Sequence, residues 1–200
     1  MQSPFKVEFV SWHRIVHLCY LLARKVEADH YQPDLVIAIA RGGYVPARLI
    51  CDYLDIYNLT SLRITHYLGG TDKSEAARLS IPLHIDITDM KVLLVDDVDD
   101  SGDTLQLALR HIKGLKPAAV KVAVLHHKLI STIKPDYYAQ KIIQWRWLTY
   151  PWAVVEDVQG FIRKMDPKPT NVTEAMEYFA KTYRTKIPLQ VMEQVFRKMT

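Results

Sequence analysis

At 200 residues, with 49% hydrophobic content, the chain is long enough to bury one well-packed α/β core with extensions. A formal charge of +4 suits small polyanions, and no Lys/Arg block calls for a nucleic-acid partner. No apolar run is long enough to span a bilayer and no N-terminal signal pattern is present, so a cytoplasmic protein without a membrane partner is expected.

Residues 1–10 read as an extended lead-in. Ser11 caps a helix whose stripe is Trp12, Ile15, Val16, Cys19, Leu22 and Val26. His13 and His17 lie one turn apart there without further ligands nearby, so they read as surface or partly packed histidines. Cys19 and Cys51 sit in apolar, helix-like contexts, as buried free thiols rather than a disulfide framework. Pro33 opens a strand over Leu35–Ala40, apolar throughout, which ends in Arg41, Gly42 and Gly43. The helical pattern of Val45, Leu49, Ile50 and Tyr53 follows. The two glycines let the backbone approach a ligand closely, and their amides can face an anion. Arg41 either adds charge at that turn or is a surface residue.

The next strand is predicted over Ser61–His66. Residues 67–80 hold Gly69, Gly70, Lys73 and Arg78 in mostly polar company, and read as a mobile loop or an ordinary hairpin. A short strand is predicted over Ile81–Ile85.

The most informative stretch is VLLVDDVDDSGDT, Val92 to Thr104. The apolar run Val92–Val95 reads as a strand buried on both faces. It meets the carboxylates Asp96, Asp97, Asp99 and Asp100, then Ser101, Gly102, Asp103 and Thr104, and the helical spacing of Leu105, Leu109 and Ile112. A strand, a tight loop and a helix start place backbone N–H groups where a phosphate can be held. The acids upstream would repel that phosphate unless hydroxyls and a divalent cation lie between, as they do in a sugar phosphate.

The helix is predicted to stop at Gly114, with Pro117 beyond. A strand over Val120–Leu125 ends in His126, His127 and Lys128, where adjacent histidines face opposite ways and make a poor metal pair. Lys128, at the C-terminal edge of a parallel sheet, would face a ligand crevice. Another strand is predicted over Tyr137–Ile143, then WRWLTYPW, Trp145–Trp152. That aromatic cluster serves either packing or the stacking of a heterocycle. Asp166-Pro167-Lys168-Pro169 reads as a linker before helical patterns over Val172–Tyr183 and Leu189–Lys198, with Asn171 and Glu174 spaced as a capping box variant.

VLLVDDVDDSGDT resembles the phosphoribosyl-pyrophosphate (PRPP) signature of the type I phosphoribosyltransferases. The resemblance implies an α/β fold: a doubly wound, mostly parallel sheet flanked by helices, with a small base-binding hood and a C-terminal helical tail. It implies a domain over 1–157 and a helical extension over 158–200. It makes Asp96 and Asp97 the acids near the ribose hydroxyls and a Mg²⁺ ion, and Asp100 the acid at the incoming base. Asp100, Ser101, Gly102, Asp103 and Thr104 would hold the 5′-phosphate. Arg41, Gly42 and Gly43 match the pyrophosphate loop, which in the family often has an unusual peptide geometry. Tyr67 and either Lys73 or Arg78 are candidates to meet pyrophosphate as a loop closes over the site.

Trp147, Leu148, Pro151 and Trp152 resemble the hood of the 6-oxopurine branch, and Lys128 falls where that branch has the lysine that donates to the 6-oxo group. The implied function is transfer of 5-phosphoribosyl from PRPP to N9 of hypoxanthine, guanine or xanthine, with release of a nucleoside monophosphate and pyrophosphate, by a homodimer or larger assembly. Transfer to adenine or a pyrimidine, and a PRPP-sensing regulator that binds nucleic acid, are the alternatives. Ala153 departs from the acid that directly follows Pro-Trp in bacterial relatives; the nearest acids here are Glu156 and Asp157.

Overall fold

The computed structural model of the chain describes residues 6–68 and 75–199. The chain forms two compact units, one of residues 13–144 and one of residues 1–12 with 145–200.

In the larger unit, α1 (Trp12–Ala28) buries Ile15, Cys19, Leu22 and Val26 of the expected stripe together with Leu18 and Ala23, while Trp12 and Val16 of that stripe are exposed. The sheet is built from β2 (Leu35–Ala40), β3 (Leu59–Leu68), β4 (Glu75–Ile81), β5 (Lys91–Asp99), β6 (Ala119–Lys128) and β7 (Tyr137–Ile142), in the order β4-β3-β2-β5-β6-β7. Only β4 runs antiparallel, against β3. Helices α2 (Tyr44–Tyr53) and α3 (Asp103–Gly114) make the crossovers from β2 to β3 and from β5 to β6. β2 is buried at every position, as its unbroken apolar run predicts, and its Ile37 and Ile39 join Val92, Leu94, Leu105 and Ile112 in the core. Cys19 and Cys51 are buried free thiols, and burial pushes them up to about 12 and about 11.

From β2 the chain steps to one side of the sheet, and from β5 to the other. The order therefore reverses between β2 and β5, and beyond the carboxyl ends of such a pair open α/β sheets form their ligand crevice. Residues 41–43 and 96–102 lie at those ends.

Four expectations in this unit are corrected. The central strand does not stop at Val95, because the ladder to β6 continues through Asp96, Val98 and Asp99, the last opposite His127. Likewise β6 runs on through His126, His127 and Lys128. Residues 67–80 are not simply a loop. Tyr67 and Leu68 belong to β3, while Glu75–Ser80 belong to β4, with Thr65 paired to Arg78 and Tyr67 to Ala76. The short strand expected over Ile81–Ile85 lies earlier for the same reason. Pro82 lacks the N–H to extend the ladder, and the chain turns inward so that Leu83 and Ile87 enter the core. The α3 stop is close to expectation, with Gly114 as its last residue and Lys116 (φ 56°) as the left-handed residue beyond.

The smaller unit holds a two-stranded parallel sheet of β1 (Val7–Phe9) and β8 (Trp147–Thr149). It also holds α4 (Val154–Arg163), α5 (Val172–Thr182) and α6 (Leu189–Met199). Val158, Phe161, Ile162, Ala175, Phe179, Met192 and Val195 form its core. Asn171 caps α5 by accepting the Glu174 N–H at 2.9 Å, and the Glu174 carboxylate accepts the Thr170 N–H at 2.8 Å. α4 runs across residue 157 and buries Val158, Phe161 and Ile162 in this unit's core. Among the described residues, no helix is long and apolar enough to cross a membrane.

Candidate active site

The crevice beyond β2 and β5 collects most of the expected site residues of the larger unit. At the end of β2 the Ala40–Arg41 peptide is cis, the unusual geometry that the resemblance implied. Arg41 is exposed there, while Gly43 is buried. A Cβ on Gly43 would collide with backbone, including Ile39 O and N at 2.8 and 2.9 Å. A Cβ on Gly42 would collide with the Asp97 carboxylate. The glycine turn thus sits flush against the acidic strand, and only glycine allows that closeness.

Asp96 is 7% exposed and accepts the Asp97 N–H at 2.9 Å. Burial, reinforced by the charge of Asp97, raises its carboxyl well above the ordinary carboxylate range. Two adjacent carboxylates of this kind are a donor set for a hard cation. Among the described residues no cluster of three or more His, Cys, Asp or Glu side chains could hold a metal. Two carboxylates leave the rest of a cation's shell to water and substrate oxygens, which is the coordination a hard ion such as Mg²⁺ keeps.

Asp100 follows at the end of the strand, and its Oδ2 accepts from Lys128 Nζ at 2.6 Å. Lys128 is almost fully buried while Asp100 is half exposed, so adjoining strand ends bring an ammonium donor and a carboxylate acceptor together. Beyond it Gly102 takes φ 96°, a left-handed turn that suits glycine, and its carbonyl accepts the Gln106 N–H at 2.8 Å to start α3. The Ser101 hydroxyl donates to Asp103 Oδ2 at 2.8 Å. The Asp103 N–H in turn lies 3.5 Å from Ser101 Oγ, so the two residues are tied together at the start of α3, where backbone N–H groups can receive an anion.

The remaining expected residues are distributed more widely. Tyr67 and Arg78 lie on β3 and β4, with Arg78 exposed; Lys73 lies outside the described residues. Trp147 and Leu148 belong to the smaller unit. The Trp147 indole N–H donates to Asp157 Oδ2 at 2.9 Å, and its ring meets Phe161 edge-on at 6.0 Å. Burial raises the Asp157 carboxyl, an effect opposed by the Trp147 hydrogen bond. Leu148 is buried, and Tyr150 stacks on Trp152 at 5.0 Å. Part of the aromatic run is thus spent on packing, one of the two uses its composition allowed.

Sequence reasoning assigned nothing to the turn after β6. There Ser131, Thr132 and Ile133 fold over Ser101 and Gly102, and Asp99 and His127 join them from the paired strand ends. An acid and a histidine near the ends of neighbouring strands were the only signal.

The sequence model of the phosphoribosyl transferase domain matches residues 8–157. The xanthine-guanine phosphoribosyltransferase of Chromohalobacter salexigens is 32% identical over 169 residues, covering 82% of this chain and 95% of that one. The hypoxanthine-guanine phosphoribosyltransferase of Saccharomyces cerevisiae is 26% identical, covering 76% and 87%. A purine phosphoribosyltransferase structure from Pyrococcus horikoshii superposes with a TM-score of 0.65 at 33% identity, over 73% of this chain and 93% of that one. With the matched model spanning most of the chain, and the reversed sheet order, glycine turn and acidic strand end in place, the chain belongs to the phosphoribosyltransferase family.

Proposed function

We propose that the protein transfers 5-phosphoribosyl from PRPP to N9 of a 6-oxopurine, hypoxanthine, guanine or xanthine, and releases pyrophosphate. The purine specificity in the names of its relatives supports the substrate class. The observation that carries the reading is the Asp100–Lys128 pair at 2.6 Å. N7 and O6 are neighbours on one edge of a 6-oxopurine. A carboxylate beside N7 accepts its proton, and an ammonium beside O6 donates to the oxo group. Adenine presents an amino donor where Lys128 also donates, so that pairing fails.

In the reaction the N9–C1′ bond forms as the C1′–O bond to pyrophosphate breaks, and the N7 proton passes to the Asp100 carboxylate. Backbone N–H groups at the start of α3 hold the 5′-phosphate. Arg41 and the Gly42–Gly43 backbone face the charge that grows on the leaving group. Asp96 and Asp97 orient the ribose hydroxyls and would hold Mg²⁺, which when bound neutralises the leaving pyrophosphate. On the same reading Tyr67, with Lys73 or Arg78, meets pyrophosphate. A cytoplasmic setting and assembly into a homodimer or larger oligomer belong to the same reading.

The test is pyrophosphate release from PRPP and Mg²⁺ with each common nucleobase in turn. Release with at least one 6-oxopurine is expected, with kcat/KM roughly 10⁴-fold or more above adenine, the scale on which a buried donor rejects the wrong partner. Equal use of adenine would remove the role given to Lys128.

A further inference from the structure

The family's chemistry has no evident use for Asp99, yet it is the most deeply buried acid of the motif, at 2% exposure. Its two oxygens are both committed. Oδ2 lies 2.7 Å from His127 Nδ1, on the facing residue of β6, and Oδ1 accepts the Ser131 hydroxyl at 2.8 Å. Burial raises its carboxyl, and these two hydrogen bonds oppose that rise. Ser131 Oγ in turn accepts the Ile133 N–H at 3.1 Å, which closes a tight turn over residues 131–133. That turn reaches back to the other side of the motif. Thr132 donates to the Ser101 carbonyl twice, from its N–H at 3.0 Å and its hydroxyl at 3.1 Å. It also packs on Gly102 so closely that an added Cβ would sit 2.7 Å from Thr132 Oγ1 and 3.0 Å from Ser131 Oγ.

We propose that Asp99 is a positioning residue for PRPP: through Ser131 it clamps the 131–133 turn onto Ser101 and Gly102, and so fixes the backbone N–H groups at the start of α3 that receive the 5′-phosphate. This rests on the functional reading above. A loop that orients amides must be held from behind, because a small displacement of donors from a phosphate sacrifices most of their benefit. Asp99 does this from inside the sheet, on the strand that supplies Asp100 from the next position. His127 holds the second oxygen, so the carboxylate has a single orientation toward Ser131. The clamp touches the phosphate end of the site and leaves the donor on Lys128 in place, which predicts a selective effect.

The experiment compares wild type with Asp99→Val, Asp99→Asn and Ser131→Ala, using steady-state kinetics in PRPP and in the purine base together with PRPP titration by calorimetry and melting curves. Asp99→Val and Ser131→Ala are expected to raise the KM and Kd for PRPP about tenfold or more, with the KM for base within about twofold and kcat within about threefold, given that a misplacement of 1 Å can cost up to 10²-fold. Asp99→Asn, which still accepts from Ser131, is expected to recover most of the PRPP affinity at the same melting temperature as Asp99→Val or lower. If Ser131→Ala folds and binds PRPP as wild type does, the clamp is refuted, even where Asp99→Val fails to fold. Equal losses in PRPP and base terms that follow the melting temperature also refute it. A wild-type protein that binds no PRPP overturns the functional reading itself, a result separable from both.

Discussion

Asp100→Asn will cut kcat by roughly 10²–10³-fold while the Kd for PRPP stays within about threefold, because the substitution removes a base and leaves the fold and the phosphate loop intact. The amide is the same size as the carboxylate and still offers an oxygen to Lys128 Nζ, which now sits 2.6 Å away. What it cannot do is take a proton from the purine as N9 bonds to C1′. Steady-state kinetics and PRPP titration on the same preparation separate the two quantities. Equal loss in kcat and PRPP affinity would mean that Asp100 serves to bind PRPP and is not the base.

Asp96→Asn will have opposite effects on activity and stability. Asp96 is buried beside Asp97, and its carboxyl is raised from the ordinary 3.8 by burial first and by its neighbour's charge second. In the folded state it therefore keeps its proton to higher pH than in the unfolded chain. Where the folded state binds more protons, stability falls as pH rises, so the cost of Asp96 begins near pH 4 and is complete above its raised pKa. An amide carries no such cost. The variant is expected to gain about 1–3 kcal/mol at pH 7, or roughly 2–4 °C in Tm for each kcal/mol in a chain of this size. That gain should shrink as the pH is lowered toward 4. Turnover should fall at every pH, since the ribose hydroxyls and the cation lose a ligand. Calorimetric scans of both proteins from pH 4 to 8 read the difference directly; a gain independent of pH would show that its origin is not the Asp96 charge.

Where composition alone dictates structure, the chain was readable. The unbroken apolar Leu35–Ala40 is a strand with those bounds, because a strand buried on both faces has no polar position to mislead. The stripe of α1 and the cap at Asn171 were readable for equally local reasons. The ends of β5 and β6 were not. Asp96–Asp99 and His126–Lys128 are polar, and they are extended because each strand's ladder holds the other's. The same non-local pairing hid β4, an edge strand whose small and polar residues carry little apolar signal. α4 was legible in principle, since Val154, Val158, Phe161 and Ile162 follow helical spacing, but the aromatic run before it carries the stronger local signal.

The site divides in the same manner. The motif's order marks the acids at the end of β5 and the turn that starts α3, while the approach of Lys128 to Asp100 depends on strand register and on nothing local. Ser101 shows the limit in the other direction. Its hydroxyl donates to Asp103 Oδ2 at 2.8 Å, a pairing that the motif's order does not announce. The clamp behind the turn involves three elements remote in sequence, and only their folding together discloses it.

The central claim is that the edge formed by the end of β5 and the start of α3 holds the 5′-phosphate of PRPP. Amide resonances followed during titration with PRPP and Mg²⁺ test it most directly. The amides of Ser101, Gly102, Asp103 and Thr104 should shift and saturate at one equivalent, with Arg41–Gly43 moving in parallel. PRPP that leaves those amides unmoved, while shifting lysine-rich surface elsewhere, would contradict it.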